Sequence, residues 1–317
     1  MDRPDKIRPF LAQNGWEQAK LFPMAGDASA RRYWRAQSGG KTAVVMDDPT
    51  GSIPAFTSIA QHLSTIGLHP PVIWAQDPQI GLLLAEDLGD TVFSRAIKQD
   101  SGLEIPLYTA AADVLIHLRA QPLPKSLQTY GPTEMAIAIQ PAFDWYFRDP
   151  TEWASVQRCF EAALTRLSPQ TSTLVLRDYH AENLIWQPPR VRLLDFQDAV
   201  AGHPAYDLVS LLQDARRNVS DDCAQNVLQY YLRQTCEDPT QFGAAYAIQG
   251  AQRNLRILGI FARLSRQMGK KHYVDLIPRV WSYLLENLSH PELFDLKSLL
   301  MPLLPSPRPD HLNWLKS

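Results

Sequence analysis

The sequence predicts an α+β fold in two lobes: a small antiparallel β-sheet lobe with one main helix, and a mainly helical lobe that contains a β-hairpin. Strand-like runs crowd the first part of the chain. Residues alternate from Ala30 to Ala36, are rich in β-branched types from Thr42 to Met46 and are wholly apolar from Ile80 to Ala85. Further along, apolar residues recur at spacings of three and four, which is typical of helices. We expect the sheet lobe, the hinge and the helical lobe at residues 1–85, 86–90 and 91–317.

Capping residues, prolines, glycines and hydrophobic spacing predict the individual helices and strands. One helix of the sheet lobe is expected from Pro54 to Ile66, because Ser52 can cap its start and a glycine follows its end. The helical lobe has stretches with helical periodicity: Leu107 to Leu118, Thr151 to Leu167, Pro204 to Ala215, Asp221 to Cys236, Gln241 to Met268 and Val274 to Leu288. A hairpin interrupts them, with strands from Leu184 to Gln187 and from Val191 to Leu194 around a two-proline turn. These elements predict a cleft between the lobes, with the hinge at its back.

Size and composition indicate a folded globular protein. The chain has 317 residues, of which 45% are hydrophobic and 20% are charged. Its 31 Lys and Arg residues nearly balance 33 Asp and Glu residues, so a net charge of -2 attracts neither nucleic acid nor an anionic membrane. Three cysteines without a CxxC pair argue against a disulfide scaffold or a thiolate metal site. Since the chain also lacks a leader-like start and an apolar stretch of membrane-spanning length, we expect a cytoplasmic protein.

Polar residues with distinctive chemistry flank the hairpin. Asp178 and Asn183 precede it, and Asp195 follows it. Because an antiparallel hairpin returns the chain to its starting end, these three side chains should converge. Such a set suits phosphoryl transfer, in which one carboxylate accepts the proton of the acceptor hydroxyl while an amide oxygen and a second carboxylate hold Mg²⁺ against nucleotide phosphates. The alternative is that all three are ordinary turn and cap residues.

At these positions the sequence resembles the aminoglycoside phosphotransferase family, the protein-kinase-like enzymes that phosphorylate small molecules. The segment R-D-x4-N that ends at Asn183 is similar to the catalytic loop of the family, and L-D-F around Asp195 to its metal-binding segment. G-H-P-A-Y-D-L around Asp207 is similar to the motif that follows. The resemblance implies a two-lobed protein-kinase-like fold in which Asp178 is the catalytic base and Asn183 and Asp195 bind Mg²⁺. It further implies that Arg177 and Asp207 support the catalytic loop.

A closer likeness is to the anomeric sugar kinases that phosphorylate N-acetylmuramic acid and N-acetylglucosamine in bacterial cell-wall recycling. Four separated blocks carry it, and they begin at Gly26, Leu176, Leu193 and Arg253. The likeness implies transfer of the ATP γ-phosphoryl group to a sugar hydroxyl, the anomeric one, with Mg²⁺ as cofactor. An aminoglycoside or choline-type small-alcohol phosphotransferase and a non-catalytic nucleotide-binding regulator stay as alternatives, because one fold serves many acceptors.

One part of the kinase pattern is missing. Protein kinases hold the nucleotide phosphates with a lysine on the third strand, which pairs with a helix glutamate. Met46 takes the lysine position in this sequence, and Lys41 falls on the opposite face of the strand. No charged residue occurs from 49 to 76, so the glutamate is missing as well. Loss of both partners leaves no unpaired charge behind.

Another cation is therefore needed for the phosphates. The turn that contains Gly26 is followed by arginines, and a guanidinium binds phosphate oxygens in a fixed fork. We expect either Arg31 or Arg32 to hold the phosphates, assisted by Ser29 and by backbone amides of the turn. The alternative is that these arginines form a solvated strand edge.

The hinge is expected to bind the nucleotide base. Backbone groups at Glu86 and Leu88 lie where the sheet lobe ends, and such groups can bond adenine without any particular side chain. The alternative is a simple linker between the lobes.

The charged residues of the helices near the end of the chain indicate which class of acceptor the protein binds. No Asp or Glu occurs from 242 to 274, whereas Arg256 and Arg263 lie on one helical face within that range. Such a face suits a neutral or anionic sugar better than a polycationic aminoglycoside. We therefore expect Arg256 and Arg263 to contact the acceptor, with Asp198 as an acidic contact, although a solvated basic face is the alternative. The expected partner is a small-molecule sugar.

Overall fold

The computed structural model describes residues 4–24, 30–147 and 151–317. The chain forms two compact units. The first comprises Met1–Ala96 together with Glu182–Asp198, and the second comprises Ile97–Ala181 together with Ala199–Ser317. The predicted hairpin thus belongs to the first unit, although it was expected in the helical lobe. The boundaries expected at residues 85 and 90 stay a prediction.

A five-stranded antiparallel sheet forms most of the first unit. Its strands are β1 (Lys20–Met24), β2 (Arg32–Ser38), β3 (Lys41–Asp47), β4 (Ile73–Asp77) and β5 (Leu82–Glu86), in the spatial order β1-β2-β3-β5-β4. Gly39 and Gly40 form the two-residue turn between β2 and β3, and both have a positive φ, as that tight hairpin turn requires. Three of these strands match the sequence prediction to within two residues. We did not predict β1 and β4.

Helices cover this sheet. Helix α1 (Pro4–Gln13) places Phe10 and Leu11 against Val45 and Leu84 in one buried cluster. Helix α2 (Ile53–Thr65) agrees with its prediction to within one residue. Ser52 does occupy the predicted capping position, but its hydroxyl donates to Asp48 Oδ2 at 2.8 Å instead of capping the helix.

The hairpin consists of β7 (Leu184–Gln187) and β8 (Arg190–Leu193). The prediction is confirmed for β7 and is shifted by one residue for β8. The register pairs Leu184 with Leu193, so the residues before β7 and after β8 lie at the same open end.

The second unit is mainly helical. Its helices are α4 (Glu104–Arg119), α5 (Pro132–Ile137), α6 (Trp153–Leu167), α7 (Ala205–Leu212), α8 (Asp221–Thr235), α9 (Pro239–Met268), α10 (Ile277–Leu288), α11 (Phe294–Leu300) and α12 (Pro309–Lys316). Helix α3 (Phe93–Gln99) spans the boundary between the units, and strands β6 (Thr173–Val175) and β9 (Val200–Gly202) pair with each other. The predicted start of α10 at Val274 is wrong, because residues 271–276 form a 3₁₀ turn before it. Helix α7 ends at Leu212, before the predicted Ala215.

Helix α9 is the centre of the second unit. Ala251, Leu255 and Leu258 are fully buried along its length. The proline-rich segment 302–309 packs on the same unit, since the carbonyl of Pro305 accepts a hydrogen bond of 2.7 Å from the Tyr146 hydroxyl. In the part of the chain that the structure describes, no helix is long and apolar enough to cross a membrane.

Candidate active site

A buried carboxylate of α7 accepts hydrogen bonds from the backbone of the loop that carries Asp178. Asp207 accepts the backbone N–H of Leu176 at 2.6 Å and that of Arg177 at 2.9 Å. Burial raises the pKa of Asp207 to about 7, although both hydrogen bonds act in the opposite direction. Arg177 has a φ of 71°, a left-handed conformation that is unusual for a residue other than glycine. The loop therefore leaves regular geometry directly before Asp178, whose side chain is exposed.

The residues after Asp178 point into the second unit. The hydroxyl of Tyr179 donates to the carbonyl of Ala111 at 2.8 Å, and both side chains of Tyr179 and His180 are buried. Arg216 Nη1 lies 3.2 Å from Nε2 of His180. Burial lowers the pKa of His180 well below its ordinary value, and the charges of Arg216 and Arg253 lower it further. His180 is thus a neutral anchor of the loop, and Asp178 is the exposed group.

The backbones at Asn183 and Asp195 are neighbours at the open end of the hairpin, whereas the convergence of their side chains with that of Asp178 stays a prediction. The N–H of Leu194 donates to the carbonyl of Asn183 at 3.0 Å, and Asp195 is the next residue. Asp195 has a φ of 56°, a conformation that costs free energy and recurs at functional sites. Its side chain is 42% exposed, so its oxygens can be reached from solvent.

Arg31 is bound to the same acidic end. Its Nη1 lies 3.0 Å from Asp195 Oδ1 and its Nη2 lies 3.9 Å from Asp198 Oδ2, and its side chain is only 8% exposed. Gln197 donates to both carboxylates, at 3.0 Å and 3.1 Å. Burial disfavours the charge of Arg31, but Tyr33 and both carboxylates raise its pKa overall. Arg32, its neighbour in sequence, is exposed.

The strand position of the missing lysine is filled by an apolar side chain. Met46 is buried and pairs in register with Tyr33 of β2 and Leu83 of β5. Lys41 lies at the exposed start of β3. Neither residue therefore supplies a buried cation.

The predicted hinge is fixed by arginines that sequence reasoning did not assign to it. Arg192 of β8 contacts both carboxylate oxygens of Glu86, at 2.5 Å and 3.2 Å. Arg35 of β2 contacts Asp87 at 2.7 Å and Asp90 at 3.0 Å.

The backbone of the hinge is also partly engaged. The N–H of Glu86 donates to the carbonyl of Val72 at 2.8 Å, and the carbonyl of Leu88 accepts from Gln187 Nε2 at 3.0 Å. Alternation along β2 and β8 is the signal that could have placed Arg35 and Arg192, because it sets which arginines of a strand share a face.

The arginines of α9 have different surroundings. Arg253 is buried and donates to Ser210 Oγ at 2.8 Å, whereas Arg256 is half-buried. Arg263 is exposed, and Arg266 stacks on Trp314 with its guanidinium carbon 4.2 Å from the ring centroid. The predicted basic face is thus divided, and Arg256 alone of the two predicted contacts is partly enclosed.

The oxygen atoms at the hairpin end fit a hard divalent cation. Asn183 offers an amide oxygen and Asp195 a carboxylate, which are ligand types that Mg²⁺ takes. No group of three or more His, Cys, Asp or Glu residues suited to a metal occurs in the described ranges, and Mg²⁺ commonly keeps waters and substrate phosphates in its shell. Gly26 and Ser29, the remaining predicted nucleotide contacts, lie outside the described residues.

A comparison with protein-family models matches residues 21–244 to one described as the phosphotransferase enzyme family, APH. The chain belongs to this family. The match covers the catalytic loop, the hairpin and α7, so the predicted family and the prediction of a phosphotransferase are confirmed.

Relatives of this phosphotransferase are similar along most of their length. An N-acetylmuramate/N-acetylglucosamine kinase from Caulobacter vibrioides is 38% identical over 91% of this chain and 93% of its own. A kinase of the same name from Pseudomonas putida is 30% identical over 94% of each chain. A solved choline/ethanolamine kinase family protein from Mesorhizobium loti has a TM-score of 0.68 over 99% of each chain at 15% identity. The predicted protein-kinase-like fold class is confirmed.

Proposed function

We propose that this phosphotransferase is an ATP-dependent sugar kinase that phosphorylates the anomeric hydroxyl of N-acetylmuramic acid or N-acetylglucosamine. The observation that carries the proposal is the hairpin register that places the backbones at Asn183 and Asp195 side by side, together with an exposed Asp178 whose loop is hydrogen-bonded to Asp207. The choice of acceptor rests on relatives that bear this name over nearly the whole chain.

Asp178 is proposed as the base. An exposed carboxylate on a fixed loop can orient the sugar hydroxyl and take its proton while the phosphoryl group is transferred. Asp207 and Arg177 support this function through the backbone, because Asp207 fixes two N–H groups directly before the base.

Asn183 and Asp195 are proposed to hold Mg²⁺. When bound, the metal ion neutralises charge that develops between the β- and γ-phosphates. The strained backbone of Asp195 aims its carboxylate, and Gln197 restrains one of its oxygens at 3.0 Å.

Arg31 is proposed to replace the missing strand lysine. Its guanidinium already lies at the acidic hairpin end, and its shielded position favours contact with an anion over contact with water. Arg32 is exposed, so we assign this function to Arg31 alone. Gly26 and Ser29 are proposed to assist through the preceding turn.

The remaining contacts are proposed from their positions. Glu86 and Leu88 would present backbone groups to adenine, in a hinge that Arg192 and Gln187 hold in place. Arg256 and, more weakly, Arg263 are proposed as acceptor contacts, as is Asp198. A cytoplasmic location stays a prediction.

The deciding experiment measures ADP release with Mg-ATP on N-acetylmuramic acid, N-acetylglucosamine, kanamycin and choline. We expect turnover on the amino sugars and an acid-labile product, as an anomeric phosphate gives. Asp178→Asn should lower kcat by about 10²- to 10⁴-fold with nucleotide affinity retained, because it removes proton acceptance alone. Turnover confined to kanamycin or choline, or a normal kcat for Asp178→Asn, would contradict the proposal. ATP binding without turnover on any acceptor would favour a regulator.

A further inference from the structure

Tyr130 is a fixed aromatic platform in the second unit. Its N–H donates to the carbonyl of Ala201 at 2.8 Å, and its ring meets Tyr206 edge to face at 5.7 Å. Gln252 of α9 donates to its hydroxyl at 3.3 Å. Burial raises the pKa of Tyr130 to about 12, so the ring carries no charge near neutral pH. The platform therefore presents a neutral π-face with one hydroxyl.

Arg177 lies over this platform, directly beside the proposed base. Its guanidinium carbon is 5.2 Å from the centroid of the Tyr130 ring, within the range of a cation–π contact. Both backbone groups of Arg177 are held, the N–H by Asp207 and the carbonyl by Ser210 at 3.2 Å. Its Nε is buried without a hydrogen-bond partner among the described residues. A buried N–H of a cation that lacks an acceptor is costly, and an anion would satisfy it.

Arg256 approaches the same ring from α9. It lies four residues after Gln252, so both side chains occupy one helix face, and Gln252 contacts the Tyr130 hydroxyl. In agreement with this position, the charges of Arg256 and Arg177 both act to lower the pKa of Tyr130. Two guanidinium groups thus converge on one ring.

Buried polar groups of α7 and α9 hold the backbone of Arg177 beside this platform. The buried carboxylate of Asp207 uses both of its oxygens on backbone N–H groups of Leu176 and Arg177. Arg253, about one turn before Arg256 on α9, donates to Ser210 Oγ, and that hydroxyl donates to the carbonyl of Arg177. A carboxylate is a small anion that a guanidinium can bind through two parallel hydrogen bonds.

We infer that Arg177 and Arg256, which both lie near the Tyr130 ring, bind the carboxylate of an anionic acceptor. This carboxylate is that of the lactyl group of N-acetylmuramic acid. This inference rests on the proposed function and deepens it. N-acetylglucosamine lacks the lactyl group, so it would bind without this pair. The pair therefore sets the preference between the two sugars, while Asp178 acts on both.

The test compares kcat/KM for the two sugars in the full-length enzyme. Arg256→Gln should raise KM for N-acetylmuramic acid about tenfold or more and change KM for N-acetylglucosamine by less than about threefold, because a charge-assisted hydrogen bond is lost with one sugar only. Arg177→Gln should shift the ratio of kcat/KM between the two sugars in the same direction, toward N-acetylglucosamine. Arg256→Lys should restore part of the preference, since it keeps the charge without the fork. Arg233→Gln, at an exposed arginine of α8, is the matched control.

Three outcomes separate the possibilities. An unchanged ratio in Arg177→Gln and Arg256→Gln, or equal losses on both sugars, would overturn the inference and leave the proposed function standing. If the wild-type enzyme turned over neither sugar, the proposed function would fail, and the inference with it. If circular dichroism shows that Arg256→Gln does not fold, the ratio of kcat/KM between the two sugars in Arg177→Gln and Arg256→Lys decides instead.

Discussion

Arg31 and Arg32 are neighbours in the sequence, yet their side chains meet different surroundings. Arg31 lies against Asp195 and Asp198 with 8% of its side chain exposed, whereas Arg32 is open to solvent. An exposed arginine is screened by water and salt, so it contributes little to holding an anion in a fixed place. Position relative to the acidic hairpin end, and not charge alone, distinguishes the two residues.

Arg31→Ala should raise the KM for ATP by about tenfold or more, because it removes the shielded guanidinium that is proposed to hold the phosphates. Arg32→Ala should leave this KM within about twofold. Steady-state kinetics at saturating acceptor checks both. Equal effects of the two substitutions, in either direction, would contradict the assignment of Arg31.

The proximity of the residues at the hairpin end could be predicted from the sequence, but the ion pair with Arg31 could not. The meeting of Asn183 and Asp195 could be predicted, because a hairpin is local and its register determines which residues are neighbours. The pair of Arg31 and Asp195 could not, since 164 residues separate them and only long-range packing joins them. The sequence left Arg31 and Arg32 equal for the same reason.

At the scale of elements, α9 packs closely enough to require glycine. A Cβ built on Gly259 would lie 2.1 Å from the backbone N of Ala142, whereas one on Gly243 would have only His290 Nε2 near it, at 4.0 Å. A backbone cannot move aside as a flexible side chain can. Gly259 is therefore a packing residue, and Gly243 is replaceable.

Gly259→Ala should lower the free energy of unfolding by about 3 kcal/mol or more, since α9 must shift away from the segment that begins at Ala142. Gly243→Ala on the same helix should be neutral or stabilise by up to about 1 kcal/mol through helix propensity. Urea unfolding monitored by circular dichroism measures both. A mild effect at Gly259 would show that this close contact does not exist in solution.

The loop between β9 and α7 contains a histidine that must stay neutral. His203 Nδ1 accepts the N–H of Ala205 at 3.1 Å, which a protonated ring cannot do. Burial, together with the charge of Arg119, lowers the pKa of His203 to about 4. In the unfolded chain the pKa returns to about 6.5. The unfolded state thus binds a proton between these two values that the folded state does not.

This difference predicts a pH dependence. The contribution of His203 to stability is fully present above pH 6.5 and is lost as the pH falls toward 4, with a slope of up to about 1.4 kcal/mol per pH unit. His203→Asn should flatten that slope, because the amide oxygen can accept from Ala205 and does not titrate. Asp207 contributes a slope of opposite sign, since its pKa is raised, but this slope is common to both proteins. Parallel slopes for wild type and variant from pH 4 to 6.5 would refute this prediction.

Elements with strong periodicity could be predicted, and those that depend on neighbours could not. Helix α2 and strand β7 agreed with their predictions because the prolines, the glycine after α2 and the apolar spacing that mark them lie in or directly beside the elements. Strand β4 has a register shift between Ile73 and Ala75, which breaks the alternation that identifies a strand. Helix α1 contains Pro9 inside it and is stabilised by packing on the sheet.

At the scale of the whole molecule, charge is arranged locally. The net charge is only -2, yet guanidinium groups gather at the hairpin end, around the hinge and at Tyr130. Such an arrangement suits an enzyme with small anionic ligands, because each site attracts its ligand without drawing the entire protein to polyanions. Composition could predict the absence of a global field, but only the fold places each arginine.

Ligand binding should therefore be visible in the stability of the entire chain. At an ATP concentration about 100 times its Kd, in excess Mg²⁺, binding to the native state alone adds about 2.7 kcal/mol, which corresponds to a rise of roughly 5 °C in Tm for a chain of this size. EDTA should remove most of this rise, because the phosphates then lose the ion that Asn183 and Asp195 are proposed to hold. Differential scanning fluorimetry measures the midpoints. Asp195→Ala should have the small shift of the EDTA sample even in excess Mg²⁺, whereas Arg233→Gln should keep the full shift. An equal shift with Mg²⁺ and with EDTA would mean that nucleotide binds without the metal, and it would contradict the proposed function of Asn183 and Asp195.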